Sequence, residues 1–277
     1  MKDALQPLSK DKLFTLITGG SLGIGRALAF ECAGKGMNLI LVALPGPELA
    51  ETATKIGERY PVSILTLGID LTEDDAPEKV YSFIKDQGVK INILINNAGF
   101  GTNGLFENSS LDLDFRMIQL NNMAMIGLIH YFIPELKKSS PSHILNMSSM
   151  EATLPLPYKS VYTGTKNFIY AYSLALNEEL RPDHIRVSVL CPGPVITNEE
   201  GLRRYKAQGV KARLIIMMPD QVAKKAISAM LKGKTIIIPG FTPWLITKVI
   251  NFLPELLKMR ILERIFRVYK YIPTVKI

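Results

Sequence analysis

Seven short apolar runs, rich in β-branched residues, alternate with longer amphipathic segments over the first 240 residues of the chain. The runs are mostly continuous in apolarity, which is typical of strands buried on both faces of a parallel sheet. The pattern therefore predicts strands at 13–18, 37–44, 62–69, 91–96, 143–148, 185–191 and 235–239.

The segments between these runs have the length and spacing of helices. They predict helices at 24–35, 47–59, 76–87, 111–138, 160–181 and 220–232. Gly34, Gly36 and Gly88 suit helix ends, and Pro77 and Asp220 suit helix starts. Because strands and helices alternate and no internal repeat is visible, we expect an α/β fold with one parallel sheet and helices on both faces.

The charge of the chain is unevenly distributed. The net charge is +8 over 277 residues. From Phe241 to the end, seven Lys and Arg residues stand against only Glu255 and Glu263, a net charge of +5. We therefore divide the chain into one domain at 1–240 and a basic extension at 241–277.

The extension mixes apolar and basic residues at roughly helical spacing, interrupted by Pro254. This pattern predicts basic amphipathic helices, with three uses left open: packing on a partner subunit, packing over a substrate cleft, or contact with a membrane surface. The basic residues lie among aliphatic ones and form no groove-reading motif, so we expect no nucleic-acid partner. No apolar run has the roughly 20 residues needed to span a bilayer.

The start of the chain and its cysteines bear on its location. The stretch MKDALQPLSKDK is polar, without the apolar core of a signal peptide. Cys32 and Cys191 lie far apart and lack metal-type spacing, so we expect reduced, buried thiols and no metal site. These features predict a cytoplasmic protein, or one that also touches a membrane through its extension.

Glycine-, asparagine- and serine-rich stretches follow the first, fourth and fifth predicted strands. In an open parallel sheet, ligands bind outside the carboxyl ends of the strands. Gly19, Gly23 and Gly25 in TGGSLGIG would let the backbone turn tightly and approach a pyrophosphate at a helix N-terminus. The stretch NNAG at 96–99 fits either an Asn-Gly turn or a wall of small residues against a cofactor.

Tyr162 and Lys166 lie four residues apart at the start of a predicted helix, so their side chains are neighbours. An ammonium group beside a phenol lowers the pKa of the phenol, which suits acid–base chemistry on an alcohol or ketone. Ser149, thirteen residues before Tyr162, is either a turn former or a donor to a substrate carbonyl oxygen. An isolated pair of this kind also occurs by chance on a solvated helix, so only further motifs in the chain can distinguish a catalytic pair from a chance one.

The ordered set of motifs resembles the short-chain dehydrogenase/reductase family, in its compact one-domain branch. The resemblance runs from residue 13 to about 240 and is carried by TGGSLGIG, DLT (70–72), NNAG, LNN (120–122), NMSS (146–149), YTGTK (162–166) and CPGPVIT (191–197). The stretches NNAGFGTNGLF and IIIPG are further similar to a DltE-like bacterial subgroup. The resemblance implies a Rossmann-like, doubly wound sheet with strand order 3-2-1-4-5-6-7, and the habit of the family implies a homodimer or homotetramer.

The resemblance also implies roles for individual residues. Tyr162 would be the general acid in reduction and the base in oxidation, while Lys166 would lower its pKa and bind the nicotinamide ribose. Ser149 would polarise the carbonyl, and Asn121, with the adjacent Asn122 as the alternative, would hold a water that links Lys166 to solvent. The cofactor would be lined by Gly19, Ser21, Gly23, Ile24, Gly25, Asp70, Leu71, Asn97, Ala98, Gly99, Pro192, Gly193, Val195 and Thr197, together with Tyr162 and Lys166.

The end of the second strand bears on the choice of cofactor. An acidic residue there would bind the ribose 2′-hydroxyl and favour NAD, whereas a basic one would accept the 2′-phosphate of NADP. Ala43 and Leu44 occupy these positions, and Leu22 stands before Gly23, where NADP-dependent members often carry Arg or Lys. Because the excluding carboxylate is missing, we expect NADP(H) rather than NAD(H).

Residues 198–218 lie where the family places its substrate lid. Their apolar end, LIIMM, fits either a hydrophobic substrate pocket or a core-packing helix. The resulting hypothesis is an oxidoreductase that interconverts a carbonyl and a secondary alcohol on a small, hydrophobic or lipid-like molecule. The alternatives are a catalytically weak dinucleotide-binding sensor or scaffold, and a membrane-peripheral protein that acts through the extension.

Overall fold

The apolar runs form the strands of one parallel sheet in a computed structural model, which describes residues 13–196 and 216–271. The seven strands are β1 (Leu13–Thr18), β2 (Asn38–Ala43), β3 (Ile64–Gly68), β4 (Lys90–Asn96), β5 (Ser142–Met147), β6 (Ile185–Leu190) and β7 (Ile236–Ile237). Their order in the sheet is β3-β2-β1-β4-β5-β6-β7, which confirms the expected fold class and strand order.

The helices lie close to the segments predicted for them. They are α1 (Gly23–Gly34), α2 (Pro47–Arg59), α3 (Ala76–Asp86), α4 (Leu111–Ile118), α5 (Ala124–Lys138), α6 (Ser160–Leu180), α7 (Pro219–Leu231), α8 (Phe241–Asn251) and α9 (Glu255–Phe266). Short 3₁₀ helices follow β5 (Met150–Thr153) and α9 (Arg267–Tyr271). Among the described helices, none is long and apolar enough to cross a membrane.

The sheet separates two hydrophobic cores. On one face, Leu16 of β1 packs in a cluster with Leu128 and Phe132 of α5. On the other face, Ile17 packs in a cluster with Leu28 of α1 and with residues of α7. Adjacent residues of β1 thus face opposite cores, which explains why this strand shows no polar alternation.

The two edge strands are shorter than the apolar runs predict. The run at 62–69 forms a strand only over Ile64–Gly68, and the run at 235–239 only over Ile236–Ile237. β3 is also partly exposed along its length. Each edge strand has a neighbour on one side only, so it has fewer partners to hold its ends in the sheet.

The predicted helix at 111–138 is interrupted by a π-helical turn, Gln119–Met123, between α4 and α5. The turn buries Asn121 and Asn122, whose side-chain amides both bond to residues of the neighbouring α6. Such π-helical turns are frequent at functional sites.

The two cysteines are free and buried. Burial raises the pKa of both thiols, Cys32 and Cys191, to about 12. Of the expected lid at 198–218, residues 198–215 lie outside the described part of the chain, and Met217 pairs with Val195 after β6.

Candidate active site

The turn between β1 and α1 brings backbone close to backbone. Gly19 and Gly23 adopt left-handed conformations with φ of +64° and +55°, which favour glycine. A Cβ added at Gly25 would lie 2.0 Å from the carbonyl oxygen of Gly19, so a side chain there is excluded. Leu22 caps α1 without a side-chain hydrogen bond, which leaves the amides of the first turn open for an anion.

Thr18 locks this turn to the end of β4, a role that the sequence analysis did not assign. Its Oγ1 accepts hydrogen bonds from the backbone amides of Asn97 and Ala98, each at 3.0 Å. Asn97 Nδ2 donates in return to the carbonyl oxygens of Thr18 and Gly19, at 3.0 and 3.2 Å. The NNAG stretch therefore forms one rigid unit with the glycine-rich turn.

The other expected nucleotide contacts lie around the same edge of the sheet. Asp70 Oδ1 accepts from the amide and hydroxyl of Thr72, and its Oδ2 lies 3.5 Å from the Arg116 guanidinium. Leu71 belongs to a hydrophobic core, so its side chain is not part of an open surface. Half-buried Ser21 accepts at its carbonyl from Thr52, while Ile24 packs on the other core.

The loop after β6 reaches the catalytic side of the site. The carbonyl oxygen of Pro192 accepts from the amide of Met150 at 2.9 Å, which joins this loop to the end of β5. Gly193 and Val195 are partly exposed beside it. Thr197, the last expected cofactor contact, lies outside the described residues.

The structure brings Tyr162 and Ser149 together at the carboxyl end of β5. A hydrogen bond from the Ser149 side chain favours the phenolate, but burial and the negative charge of Glu151 outweigh it and raise the pKa of Tyr162. The expectation that Lys166 brings this pKa toward neutrality is therefore not met. The Lys166 ammonium lies 5.8 Å from the centroid of the phenol ring. Desolvation of the phenol is the largest effect and decides the direction of the pKa shift.

Lys166 is buried, and its Nζ donates to the carbonyl oxygen of Met147 at 3.0 Å. Burial lowers the pKa of this amine to about 8. The ammonium form therefore still predominates at neutral pH, but it can lose its proton more easily than a surface lysine.

Asn121 lies beside Lys166, across Gly99. Its Oδ1 accepts from the amide of Phe100 at 3.1 Å, and its Nδ2 donates to the carbonyl of Phe100 and to Thr165 Oγ1, each at 3.0 Å. A Cβ added at Gly99 would lie 2.6 Å from Asn121 Oδ1 and 3.4 Å from Lys166 Nζ. Of the two candidate asparagines, Asn121 is thus the one placed near Lys166.

Gly101 is a further residue of the site that the motifs did not reveal. A Cβ at this position would lie 2.5 Å from Cδ2 of Tyr162, so the phenol ring packs directly on the backbone of the loop after β4. No local signal marks Gly101, because the requirement comes from a ring 61 positions away along the chain.

Lys159 and Glu151 form an ion pair against the same ring. Lys159 Nζ lies 3.0 Å from Glu151 Oε1 and 5.6 Å from the centroid of the Tyr162 ring. The same ammonium lies 4.7 Å from the centroid of the Tyr269 ring, which belongs to the C-terminal extension. The lysine therefore contacts two aromatic rings from distant parts of the chain.

The extension touches this wall of the site at two more places. The Tyr158 hydroxyl donates to Glu263 Oε1 at 2.9 Å. Leu262 of α9 is buried in a small cluster with Leu154 and Leu156. α9 thus packs on the loop between Ser149 and Tyr162.

Two cavities lie near the candidate site. One, of about 400 Å³, lies between the loop at 102–109 and residues 158–161. The other is a groove of about 1000 Å³ that includes Ser149 and Met150 and runs past β7 to Trp244 and the lysines of α7.

Comparisons with known proteins gave a matching family profile and several similar chains. The family profile described as short chain dehydrogenase matches residues 14–206. The very-long-chain 3-oxoacyl-CoA reductase of Macaca fascicularis is 29% identical over 199 residues, which cover 69% of this chain but only 62% of that protein. The 17-beta-hydroxysteroid dehydrogenase type 3 of Homo sapiens is 29% identical over 225 residues, covering 79% of this chain and 69% of that protein. A short-chain dehydrogenase from Sphingobium yanoikuyae, solved in complex with NADPH, has a TM-score of 0.73 and 28% identity, covering 86% of this chain and 92% of the other.

Proposed function

The chain belongs to the short chain dehydrogenase family, and from that premise we propose that it is an NADP(H)-dependent oxidoreductase that interconverts a carbonyl and a secondary alcohol. The observation that carries the proposal is the convergence of Ser149, Tyr162, Lys166 and Asn121 beside a glycine-rich turn that side chains would block. A small, hydrophobic or lipid-like substrate is supported by the apolar side chains, such as Met150, Ile237 and Trp244, that line part of the groove beside Ser149.

In this proposal each residue has one task. A bound nicotinamide cofactor supplies the hydride. Ser149 donates a hydrogen bond to the carbonyl oxygen and polarises it, and Tyr162 donates the proton that the developing alkoxide needs. Proton donation leaves a negative charge on the Tyr162 phenolate, which burial disfavours. The positive charge of Lys166 would stabilise this phenolate.

Reprotonation of Tyr162 requires a route from solvent. Lys166, with a pKa of about 8, can give and regain a proton at neutral pH. Asn121, placed beside it across Gly99, is suited to hold a water on this route. In alcohol oxidation the same groups act in the reverse direction.

The preference for NADP(H) rests on the end of β2. Ala43 is buried and Leu44 is exposed, so neither carries a carboxylate that would repel a 2′-phosphate. Leu22, also exposed, adds no charge of its own. The NADPH complex of the Sphingobium yanoikuyae relative supports the same preference.

We also propose that the chain falls in the DltE-like bacterial subgroup, supported by NNAGFGTNGLF and IIIPG. A homodimer or homotetramer is supported by an exposed apolar stripe on α4, formed by Leu111, Phe115 and Ile118. A cytoplasmic location is supported by two free, buried cysteines.

The test compares binding with turnover. Purified protein is titrated with NADPH and NADH by the fluorescence of its single tryptophan and by thermal unfolding, and is then assayed on a panel of ketones and alcohols. Tyr162→Phe is expected to lower turnover by at least about a thousandfold while cofactor affinity changes little. Tyr131→Phe, on α5, serves as the matched control.

Turnover that survives Tyr162→Phe would contradict the assigned acid. Tight cofactor binding without turnover on any carbonyl or alcohol would favour the sensor or scaffold instead. Tighter binding of NADH than of NADPH would contradict the cofactor preference alone.

A further inference from the structure

The helix α8 carries an exposed apolar stripe. Its members recur at helical spacing and continue into the turn before α9: they are Phe241, Leu245, Val249 and Phe252. Phe252 is 94% exposed, and Leu256 at the start of α9 is 80% exposed. Side chains of this size are rarely left so open, and a contiguous exposed patch of them marks an interaction surface.

The stripe is not a consequence of a poorly anchored helix. Ile250, on the other side of α8, packs against the cluster that α9 forms with Leu154 and Leu156. α8 is thus fixed on its inner side, and its outer side keeps the apolar residues in one row.

Cationic side chains lie near this row. Lys224 and Lys225 of α7 line the same groove as Trp244 of α8, and Arg260 and Arg264 of α9 are exposed beyond Leu256. Within 13–196 and 216–271, no carboxylate lies within ion-pairing distance of these four cations, although Arg264 is close enough to Glu263 to help lower the pKa of that carboxyl. The surface therefore combines apolar residues with an excess of positive charge.

We propose that this surface, the α8 stripe with the nearby cations, docks on an anionic lipid bilayer. Phe252 and Leu256 enter the acyl boundary, Trp244 lies at the level of the headgroups, and the lysines and arginines contact anionic headgroups. The contact is peripheral, because no described helix is able to span the membrane.

The charges favour a bilayer over a second copy of the chain. A symmetric dimer brings the same patch of both copies together, so two surfaces with the same excess of positive charge would face each other. Such like-charge contacts oppose association, and the whole chain is already at +8. An anionic bilayer complements both the charge and the apolar row.

The position of the surface suggests what docking achieves. Trp244 lines the groove that also contains Ser149, so a bilayer seated on α8 would lie beside one end of that groove. An apolar substrate could then enter from the lipid phase. This consequence rests on the proposed function, whereas the docking itself does not.

The experiment is flotation of the full-length protein with vesicles of phosphatidylcholine alone and vesicles that also contain phosphatidylglycerol. We expect binding to the anionic vesicles only, weakened by added salt. The double variant Phe252→Ser/Leu256→Ser should lower binding at least about tenfold, since it removes two highly exposed apolar side chains that docking would bury. Arg260→Gln/Arg264→Gln should lower it by a smaller factor and reduce the salt dependence.

The matched control is Leu13→Ser/Leu231→Ser, which removes two exposed apolar side chains that belong neither to the α8 stripe nor to the α4 stripe. Cofactor binding and thermal unfolding, measured without vesicles, show whether each variant is folded, because neither measurement depends on docking. Failure of the wild-type chain to float, or an equal loss of binding in the control, would overturn the proposal. Loss of a concentration-dependent dimer in the α8 variant, without any lipid binding of the wild type, would assign the surface to a second copy.

Discussion

The turn between β1 and α1 and the wall that Lys159 forms beside Tyr162 differ in how their parts are distributed along the chain. The turn draws on eight consecutive residues, and its constraints are visible as glycines at fixed spacing. The wall combines Glu151 and Lys159 with Tyr269, more than a hundred positions further on. A site built from neighbouring residues can be recognised as a sequence motif. A site built from residues far apart in the sequence has no such motif and can be recognised only in the folded structure.

The sharpest way to test the turn is Gly25→Ala. The added Cβ would lie 2.0 Å from the Gly19 carbonyl oxygen, and neither backbone segment can move without disturbing the other. We expect a loss of cofactor affinity of about a hundredfold or more, with destabilisation of about 1–3 kcal/mol, measured by cofactor titration and chemical denaturation.

Gly57→Ala on α2 is the control for this change. The nearest atom to its new Cβ would be 4.0 Å away, so the higher helix propensity of alanine should stabilise the protein by roughly 0.5–1 kcal/mol. Equal effects of the two substitutions would show that the close approach at Gly25 is unimportant.

Lys166→Met should separate function from stability. Turnover should fall by about a hundredfold or more, because the charge that compensates the phenolate is removed. The fold should gain up to about 3 kcal/mol at pH 7, since the amine is buried and its pKa is lowered from 10.5 to about 8.

The pH dependence of stability follows from the same shift. Between about pH 8 and 10.5 the unfolded chain binds more protons at this lysine than the folded one, so the contribution of Lys166 to the free energy of unfolding should rise with pH across that window. The buried thiols, whose pKa is raised from 9.0 to about 12, contribute in the opposite direction above about pH 9 in both proteins. The difference between Lys166→Met and the wild type should shrink over the same range in denaturation curves. A constant difference would contradict the assignment of the buried amine.

Lys159→Met tests the wall. Without this cation the Glu151 carboxylate loses its partner and its negative charge acts fully on the phenol, which raises the pKa of Tyr162 further. Alcohol oxidation, which needs the phenolate, should slow about tenfold and its pH profile should move to higher pH. Lys159→Arg, which keeps the charge, is the control, and an unchanged profile in Lys159→Met would remove Lys159 from the site.

Tyr158→Phe should have the smallest effect. It deletes the hydroxyl that donates to Glu263 while keeping the ring, at a cost of about 1 kcal/mol in unfolding free energy. If α9 is held mainly by Leu262, the variant should keep normal turnover, whereas Leu262→Ala should cost about 2–5 kcal/mol.

The sequence was sufficient for the inner strands because strands buried on both faces produce continuous apolar runs, and β1, β2, β4, β5 and β6 follow those runs closely. It was less informative at the edges, where β7 keeps only Ile236–Ile237, and within 111–138, where the π-helical turn depends on bonds from Asn121 and Asn122 to α6. The family resemblance named Tyr162 and Lys166, but the direction of the Tyr162 pKa followed from burial and from Glu151. The roles of Gly101 and Lys159 could not be predicted, because they arise from contacts with residues far away in the sequence.

The burial of Cys32 and Cys191 has a practical consequence for following the motions of this molecule. With both thiols far from ionisation at neutral pH, the native chain reacts slowly with maleimide or nitroxide reagents. A single cysteine placed on an exposed position of α8, such as Val249→Cys, would therefore accept a probe selectively, and its fluorescence or spin-label mobility would report directly on the environment of that helix.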